Sequence, residues 1–262
     1  MERESSLAVR APAADGTTVL LLAGYLPPTD RYSTIIDHFP GNNVYGHWGQ
    51  GGLFYCTVEV FENGISIGKG ESAVVDEKGT VHVDVGAIAE RTGRAVEGYY
   101  VVEYHHAEGI PIELYAFHVH KETGTYVSCN VVSYLGDTIY LRAHTDEMEN
   151  TQFWPGLILD EVSESRLLII NPYNVAMGFQ AHLIASDGTV ARSALTRLKR
   201  RSVAQYPVAG LFPGMEEAMR RNNAGYSLCV SSQYKLIAYM RVESLQGNIM
   251  SMMDHLHRFC LK

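Results

Sequence analysis

The chain has 262 residues, a net charge of −8, 46% apolar residues and 19% charged residues. This composition excludes a disordered chain, and no apolar run is long enough to span a bilayer. The N-terminal sequence MERESSLAVRAPAADG is charged and has no apolar core, so we expect no signal peptide and a cytoplasmic protein. The four cysteines have no CxxC spacing, which is typical of reduced, buried thiols.

The negative charge is concentrated in the first half of the chain. Residues 1–145 contain 9 Lys and Arg against 18 Asp and Glu, whereas residues 146–262 contain 12 against 11. An acidic first half disfavours nucleic acid, and we expect no nucleic-acid partner. The asymmetry permits complementary docking between the two halves, within one chain or between chains.

Val, Ile, Thr and 16 Tyr residues, punctuated by 24 Gly residues, favour strands. In chain order, the first half predicts short strands at Thr18–Tyr25, Tyr32–His38, Leu53–Phe61, Ile65–Ile67, Glu71–Val75 and Thr80–Val85, and then a helical turn at Ala87–Arg94. Asn63-Gly64 is a strong hairpin signal because both residues tolerate positive φ.

The segment Gly98–Gly124 predicts a β-hairpin, with one apolar, aromatic run on each side of Gly109–Pro111. It contains four of the eleven histidines, as the pairs His105-His106 and His118/His120. In the register of such a hairpin the two pairs lie roughly 13 Å apart along the strands. One metal ion therefore cannot join them within this hairpin.

The second half repeats the order of the first half, and a repeat of this kind predicts a repeated architecture. Gly178–Gly188 matches Leu53–Gly64, and Gly225–Gly247 matches Gly98–Gly124, with length changes only in loops. We predict an all-β fold of two tandem antiparallel β-sandwich domains, jelly-roll-like and related by internal duplication. The predicted division is an N-terminal arm at 1–17, a first domain at 18–144 and a second domain at 145–262.

Short motifs in both halves are similar to those of one known family. Gly24-Tyr25-Leu26-Pro27-Pro28, followed by strands around an Asn-Gly hairpin, resembles the sensory rhodopsin transducer family of small bacterial β-sandwich proteins. Leu167–Pro172 and Asp187-Gly188 are similar in the second half. The resemblance implies a jelly-roll-like sandwich, a soluble oligomer, and a binding or signalling role. That family has one sandwich per chain, whereas this chain is predicted to have two.

His118 and His120 form the most suggestive metal-binding motif. They alternate with Phe117 and Val119, so both histidines lie on one face of a strand, about 7 Å apart. An HxH pair of this kind can bind zinc, iron or copper if a further ligand is supplied. The predicted further ligands are His47, Glu59 and His82. The alternative is that both histidines lie on a solvated sheet face or in a subunit interface.

A second candidate site lies in the glycine-rich loop Asn42–Gly52. Its side chains Tyr45, His47 and Trp48 are suited to contact a ligand or a sugar at the end of a sandwich. The alternative is a loop folded over the edge of a sheet. The chain has no GxSxG motif, and its GQGG run precedes a strand, so a phosphate-binding loop is not indicated.

Three functions follow from these patterns. The first is a non-catalytic, cytoplasmic binding, scaffolding or signalling protein without a cofactor, acting as a homo-oligomer on a protein, small-molecule or sugar ligand. The second is a metal-dependent enzyme, with His118 and His120 as ligands and Glu59 or Glu103 as the base. The third is a carbohydrate-binding module that uses Trp48 and neighbouring tyrosines.

Overall fold

The computed structural model describes residues 18–40, 55–73, 81–106, 112–133, 151–222, 225–232, 234–235, 237–246 and 249–258. The chain divides into two compact units, Met1–Leu135 and Gly136–Lys262. Almost every regular element is an antiparallel strand, which confirms the predicted all-β fold. The predicted domain boundary at 144/145 lies outside the described residues.

The first unit is a sandwich of two antiparallel sheets. Its elements are β1 (Thr18–Leu26), β2 (Tyr32–Pro40), β3 (Tyr55–Glu62), β4 (Ile65–Ala73), β5 (Val81–Asp84), α1 (Val85–Glu90), β6 (Gly98–His106), β7 (Ile112–His120), β8 (Tyr126–Asn130) and β9 (Val132–Ser133). The five-stranded sheet has the order β4-β3-β6-β1-β9, and the four-stranded sheet has the order β5-β2-β7-β8.

The hairpin predicted at Asn63-Gly64 is present. Strands β3 and β4 pair on either side of this turn, where Asn63 has φ 50° and Gly64 has φ 82°. Positive φ at both central residues matches the right-handed twist of the flanking strands. The helical turn begins two residues earlier than predicted, at Val85, because the side chain of Asp84 accepts a hydrogen bond from the backbone N–H of Ala87.

The hairpin predicted at Gly98–Gly124 is wrong. Strand β6 pairs with β1 and β3 in one sheet, whereas β7 pairs with β2 and β8 in the other sheet. The chain therefore crosses between the sheets after His106, and the predicted 13 Å separation of the histidine pairs no longer applies. Alternation of side chains fixes the two faces of a strand, but it does not identify the neighbouring strand.

The second unit is also a sandwich of two antiparallel sheets. Its elements are β10 (Thr151–Trp154), β11 (Ser163–Asn171), β12 (Met177–Ala185), β13 (Val190–Arg192), β14 (Thr196–Leu198), β15 (Ser202–Pro207), a 3₁₀ turn (Ala209–Leu211), α2 (Glu216–Arg221), β16 (Tyr226–Ser232), β17 (Ile237–Ser244), β18 (Met250–His255) and β19 (His257–Arg258). One sheet has the order β13-β12-β16-β10-β19, with β14 also paired to β12, and the other has the order β15-β11-β17-β18.

The two units have the same strand order. The order β4-β3-β6-β1-β9 corresponds to β13-β12-β16-β10-β19, and the order β5-β2-β7-β8 corresponds to β15-β11-β17-β18. The glycines of the matched turns also agree, because Gly188 has φ 85° and Gly64 has φ 82°, although Asn63 has positive φ and Asp187 does not. This agreement is what an internal repeat leads us to expect, and descent from one duplicated copy stays a prediction.

In each unit, apolar residues that alternate along the strands fill the space between the two sheets. In the first unit these include Cys56, Val58 and Val60 on β3, with Val102 on β6. In the second unit, Phe179 of one sheet lies 5.5 Å from Tyr206 of the other, measured between ring centroids. Among the described residues, no helix has the length and apolarity required to cross a membrane.

Candidate functional site

Strand β7 carries both candidate metal-binding histidines on one face. His118 is 1% exposed and His120 is 5% exposed, while Phe117 and Val119 on the opposite face are half-buried. The predicted common face is therefore correct, but the predicted solvated face is wrong. Leu114 and Ala116 lie on the same side as the histidines and are also buried. These two apolar neighbours agree with a face that points into the core, but Tyr115, Phe117 and Val119 make the opposite face equally apolar, so the sequence does not distinguish the two.

His118 is held by groups from both neighbouring strands. Its Nδ1 lies 3.1 Å from Oγ1 of Thr34 on β2, and its Nε2 lies 3.7 Å from Sγ of Cys129 on β8. The ring of Tyr25 meets the imidazole edge-on, with 6.3 Å between the ring centroids. Both ring nitrogens therefore have a polar partner inside the sandwich, as a buried imidazole requires.

His120 fixes the turn between β7 and β8. Its Nδ1 accepts a hydrogen bond of 3.2 Å from the backbone N–H of Thr123, and Oγ1 of Thr123 lies 3.1 Å from the same atom. The hydroxyl groups of Thr123 and Thr125 lie 2.7 Å apart. Tyr32 on β2 packs edge-on against the imidazole at 5.1 Å between centroids. Each of these contacts holds the turn in place.

Glu59, predicted as a metal ligand or base, and Glu103, predicted as a base, lie elsewhere in the unit. Glu59 is half-buried on β3, on the face opposite the buried Val58 and Val60. Glu103 of β6 shares that face, since its register partner is Thr57, two residues before Glu59. In the described part of the chain, no three His, Cys, Asp or Glu side chains form a group that could hold a metal ion.

The other predicted site residues are described in part. Tyr45, His47 and Trp48 lie outside the described residues. The backbone of His82 pairs with Asp37 of β2 in the four-stranded sheet, and its side chain is not described. Nε2 of His118 and Sγ of Cys129 lie 3.7 Å apart. Two such ligands of one tetrahedral metal ion would lie roughly 3.5 Å apart.

Burial favours the neutral form of three further side chains of this core, Cys56, Tyr100 and Tyr104. It raises the pKa of the Cys56 thiol to about 11, and it raises the pKa of the Tyr100 and Tyr104 hydroxyls. Among the described residues, the Tyr100 hydroxyl has no hydrogen-bond partner. A Cβ atom at Gly24 would overlap that hydroxyl, so glycine allows the Tyr100 ring to lie across β1. A neutral, buried thiol is not an activated nucleophile.

The outer surface of the four-stranded sheet carries a set of aromatic and aliphatic side chains that are half-buried, apart from the exposed Tyr126. We call this set the aromatic face; it consists of Ile35, Tyr115, Phe117, Val119 and Tyr126. In the strand register Ile35 lies beside Phe117, and Val119 lies beside Tyr126. The rings of Phe117 and Tyr126 are 6.3 Å apart, and Tyr126 is 67% exposed. This face was not predicted from the sequence, although the apolar alternation of Tyr115, Phe117 and Val119 indicates it.

The corresponding face of the second unit is closed. Leu168 and Ile170 on β11 and Ile237 and Tyr239 on β17 are each at most 1% exposed. They continue into an ion-pair cluster, in which Arg241 Nη2 lies 2.8 Å and Arg166 Nε lies 3.5 Å from Oε2 of Glu243. Among the described residues, this outer face is therefore partly exposed in the first unit and buried in the second.

Comparison with known proteins gives matches to solved structures but to no family model or curated protein. A calcium-binding mutant of Bacteroides uniformis β-glucuronidase 2 is similar at TM-score 0.17 and 8% identity, over 97% of this chain and 28% of that chain. A glycosyl hydrolase family 2 member from Bacteroides cellulosilyticus is similar at TM-score 0.18 and 8% identity, over 97% and 31%. This chain spans less than a third of either protein, and similarity at this level carries no conclusion about its fold or activity.

Proposed function

We propose that this protein is a non-catalytic binding or scaffolding protein that acts as an oligomer and contacts a protein partner through the aromatic face. The observation that carries the proposal is the exposure of Tyr126 beside Phe117 on an open sheet surface. Tyr and Phe are enriched in the cores of protein interfaces. The resemblance to the sensory rhodopsin transducer family favours the same class of function.

The shape of the aromatic face favours a protein over a small molecule. Sites for small molecules are concave and bury most of their ligand. The aromatic face instead lies on the outer surface of a sheet, with Asp37, Ser128 and Asn130 beside it in the register. Such an apolar centre with a polar rim is typical of protein interfaces. Because residues 1–145 carry 18 acidic and 9 basic side chains, we expect a basic rim on the partner.

The metal-dependent enzyme is the alternative function. It needs His118 to exchange its contacts with Thr34 and Cys129 for a metal ion. Metal analysis of the purified protein distinguishes the two functions. Stoichiometric zinc, iron or copper in the wild type that is lost in His118→Ala/His120→Ala would overturn the non-catalytic proposal.

The partner surface is tested with a photo-crosslinking amino acid placed at Tyr126. We expect one defined protein adduct from cells that express the protein, and loss of this adduct when Phe117→Ser is added. The matched control places the same amino acid at Val190, which is 51% exposed in the second unit. The same adduct at both positions, or none at Tyr126, would contradict the proposal. So would binding of a pure glycan that is abolished by Phe117→Ser.

A further inference from the structure

Strand β8 is an edge strand, and its outward backbone groups can be assigned. It pairs with β7 on one side and ends the order β5-β2-β7-β8. His120 N–H donates to the carbonyl of Thr125, and Val131 N–H donates to the carbonyl of Leu114. Backbone groups alternate along an antiparallel strand, so the odd-numbered residues of β8 point to β7. The N–H and C=O groups of Tyr126 and Ser128 therefore point away from the sheet.

Edge strands usually carry features that prevent another strand from pairing with them. Among the described edge strands longer than two residues, β8 is the one that has none of these features. Such features are charge, proline, bulges and short length. The sequence of β8, YVSCN, has no charged residue and no proline, and its pairing with β7 has no bulge. The other edges contain Lys69 in β4, Asp84 in β5, Arg192 in β13, Arg197 in β14, Pro207 in β15 and Asp254 in β18, and β9 and β19 have two residues each.

We propose that β8 pairs antiparallel with β8 of a second copy of this chain, about a two-fold axis at Ser128. The β8 contact would form the oligomer of the proposed function, and the inference rests on the oligomeric part of that proposal. In this register Ser128 lies opposite Ser128 of the other copy, and Tyr126 lies opposite Asn130. Even-numbered residues of one copy then lie opposite even-numbered residues of the other. Their outward N–H and C=O groups face each other, and the two Ser128 residues exchange two backbone hydrogen bonds.

Charge favours a second copy at this edge. A two-fold axis places identical side chains close together, so any charge on the strand would repel itself. The first half of the chain has 18 acidic and 9 basic residues, yet Tyr126–Asn130 has none of either. The edge is thus an uncharged segment of an acidic unit. Pairing there would give one continuous eight-stranded sheet and would bring the two aromatic faces together along it.

The experiment is sedimentation equilibrium of the full chain with hydrogen exchange of the same samples. We expect a mass twice that of the 29.1 kDa chain, with slow exchange of the Ser128 amide that becomes fast on dilution. Ser128→Pro removes an outward N–H and leaves the pairing with β7 intact, since proline is tolerated where an edge-strand N–H faces solvent. It should weaken the dimer at least about tenfold. The matched control, Ser128→Thr, retains the N–H and should remain dimeric.

The outcomes separate this contact from the proposed function. An oligomer whose Ser128 amide exchanges quickly would overturn the β8 contact and leave the oligomeric function intact. A wild-type protein that stays monomeric well above micromolar concentrations would overturn both. A Ser128→Pro variant that is folded and still dimeric would also overturn the contact. If that variant loses its circular dichroism spectrum, exchange at Ser128 in the wild type decides the question.

Discussion

The four-stranded sheets of the two units have the same strand order but distribute polarity in opposite ways. In the first unit the inner face carries the pair Thr34 and His118, and the outer face is aromatic and partly exposed. In the second unit the corresponding inner pair is Leu167 and Met240, and the outer face is buried. A shared strand order therefore does not give a shared site, and a function of the open face belongs to the first unit.

The largest expected effect comes from the two outer faces. Tyr239 and Phe117 hold corresponding positions on β17 and β7, but Tyr239 is 0% exposed and Phe117 is half-buried. We expect Tyr239→Ala to lower the free energy of unfolding by about 4 kcal/mol, because it leaves a cavity. Phe117→Ala should cost about 1 kcal/mol. Urea titration followed by circular dichroism measures both, and equal losses would show that the two faces are buried alike.

A second effect concerns the inner faces. His118→Met places in the first unit the methionine that the second unit has at the corresponding position, Met240. It also leaves the buried Thr34 hydroxyl without its imidazole partner. We expect a loss of about 2 kcal/mol in the free energy of unfolding. Adding Thr34→Leu completes the apolar pair of the second unit and should recover about half of that loss. A double variant less stable than His118→Met would indicate that the two inner faces differ in shape as well as in polarity.

The third prediction uses the buried thiol of the first unit. Burial raises the pKa of Cys56 from 9.0 to about 11, so the unfolded chain loses this proton at a lower pH than the folded chain does. The contribution of this thiol to the free energy of unfolding is complete below pH 9. It decreases by about 2 kcal/mol as the pH rises towards 11. Unfolding measured between these pH values should show a shallower slope in Cys56→Ala.

Cys229 of the second unit provides the matched comparison. Burial also raises the pKa of its thiol, but the side chain is half-exposed whereas Cys56 is buried. Iodoacetamide at pH 8.5 should therefore alkylate Cys229 faster than Cys56, as followed by peptide mass spectrometry. Faster alkylation of Cys56 would contradict the position assigned to it in the core.

The smallest effect should be the same in both units. Gly64 and Gly188 occupy matched turns at φ 82° and φ 85°, a backbone region that disfavours any side chain. Gly64→Ala and Gly188→Ala should each reduce the free energy of unfolding by about 1 kcal/mol. Similar losses in urea titrations would support equivalent glycine positions, whereas losses that differ by more than this amount would show that the two glycines are held differently.

Part of the site could be predicted from the sequence. The alternation of His118 and His120 with Phe117 and Val119 predicted one common face, and the structure has it. The sequence did not show that this face is internal, because both faces of β7 carry aromatic or apolar residues. It also did not show that Phe117 lies beside Tyr126, since these residues meet only through the pairing of β7 with β8.

What the sequence by itself determined was local. It determined where strands run and where they turn, because alternation and positive-φ residues such as Asn63 act over a few neighbouring positions. It also determined that the same order of elements occurs twice. The tertiary structure decided that β6 and β7 belong to different sheets and that one outer face is open while its counterpart is buried. Those choices depend on contacts between residues far apart in the chain, and periodicity within one strand carries no information about them.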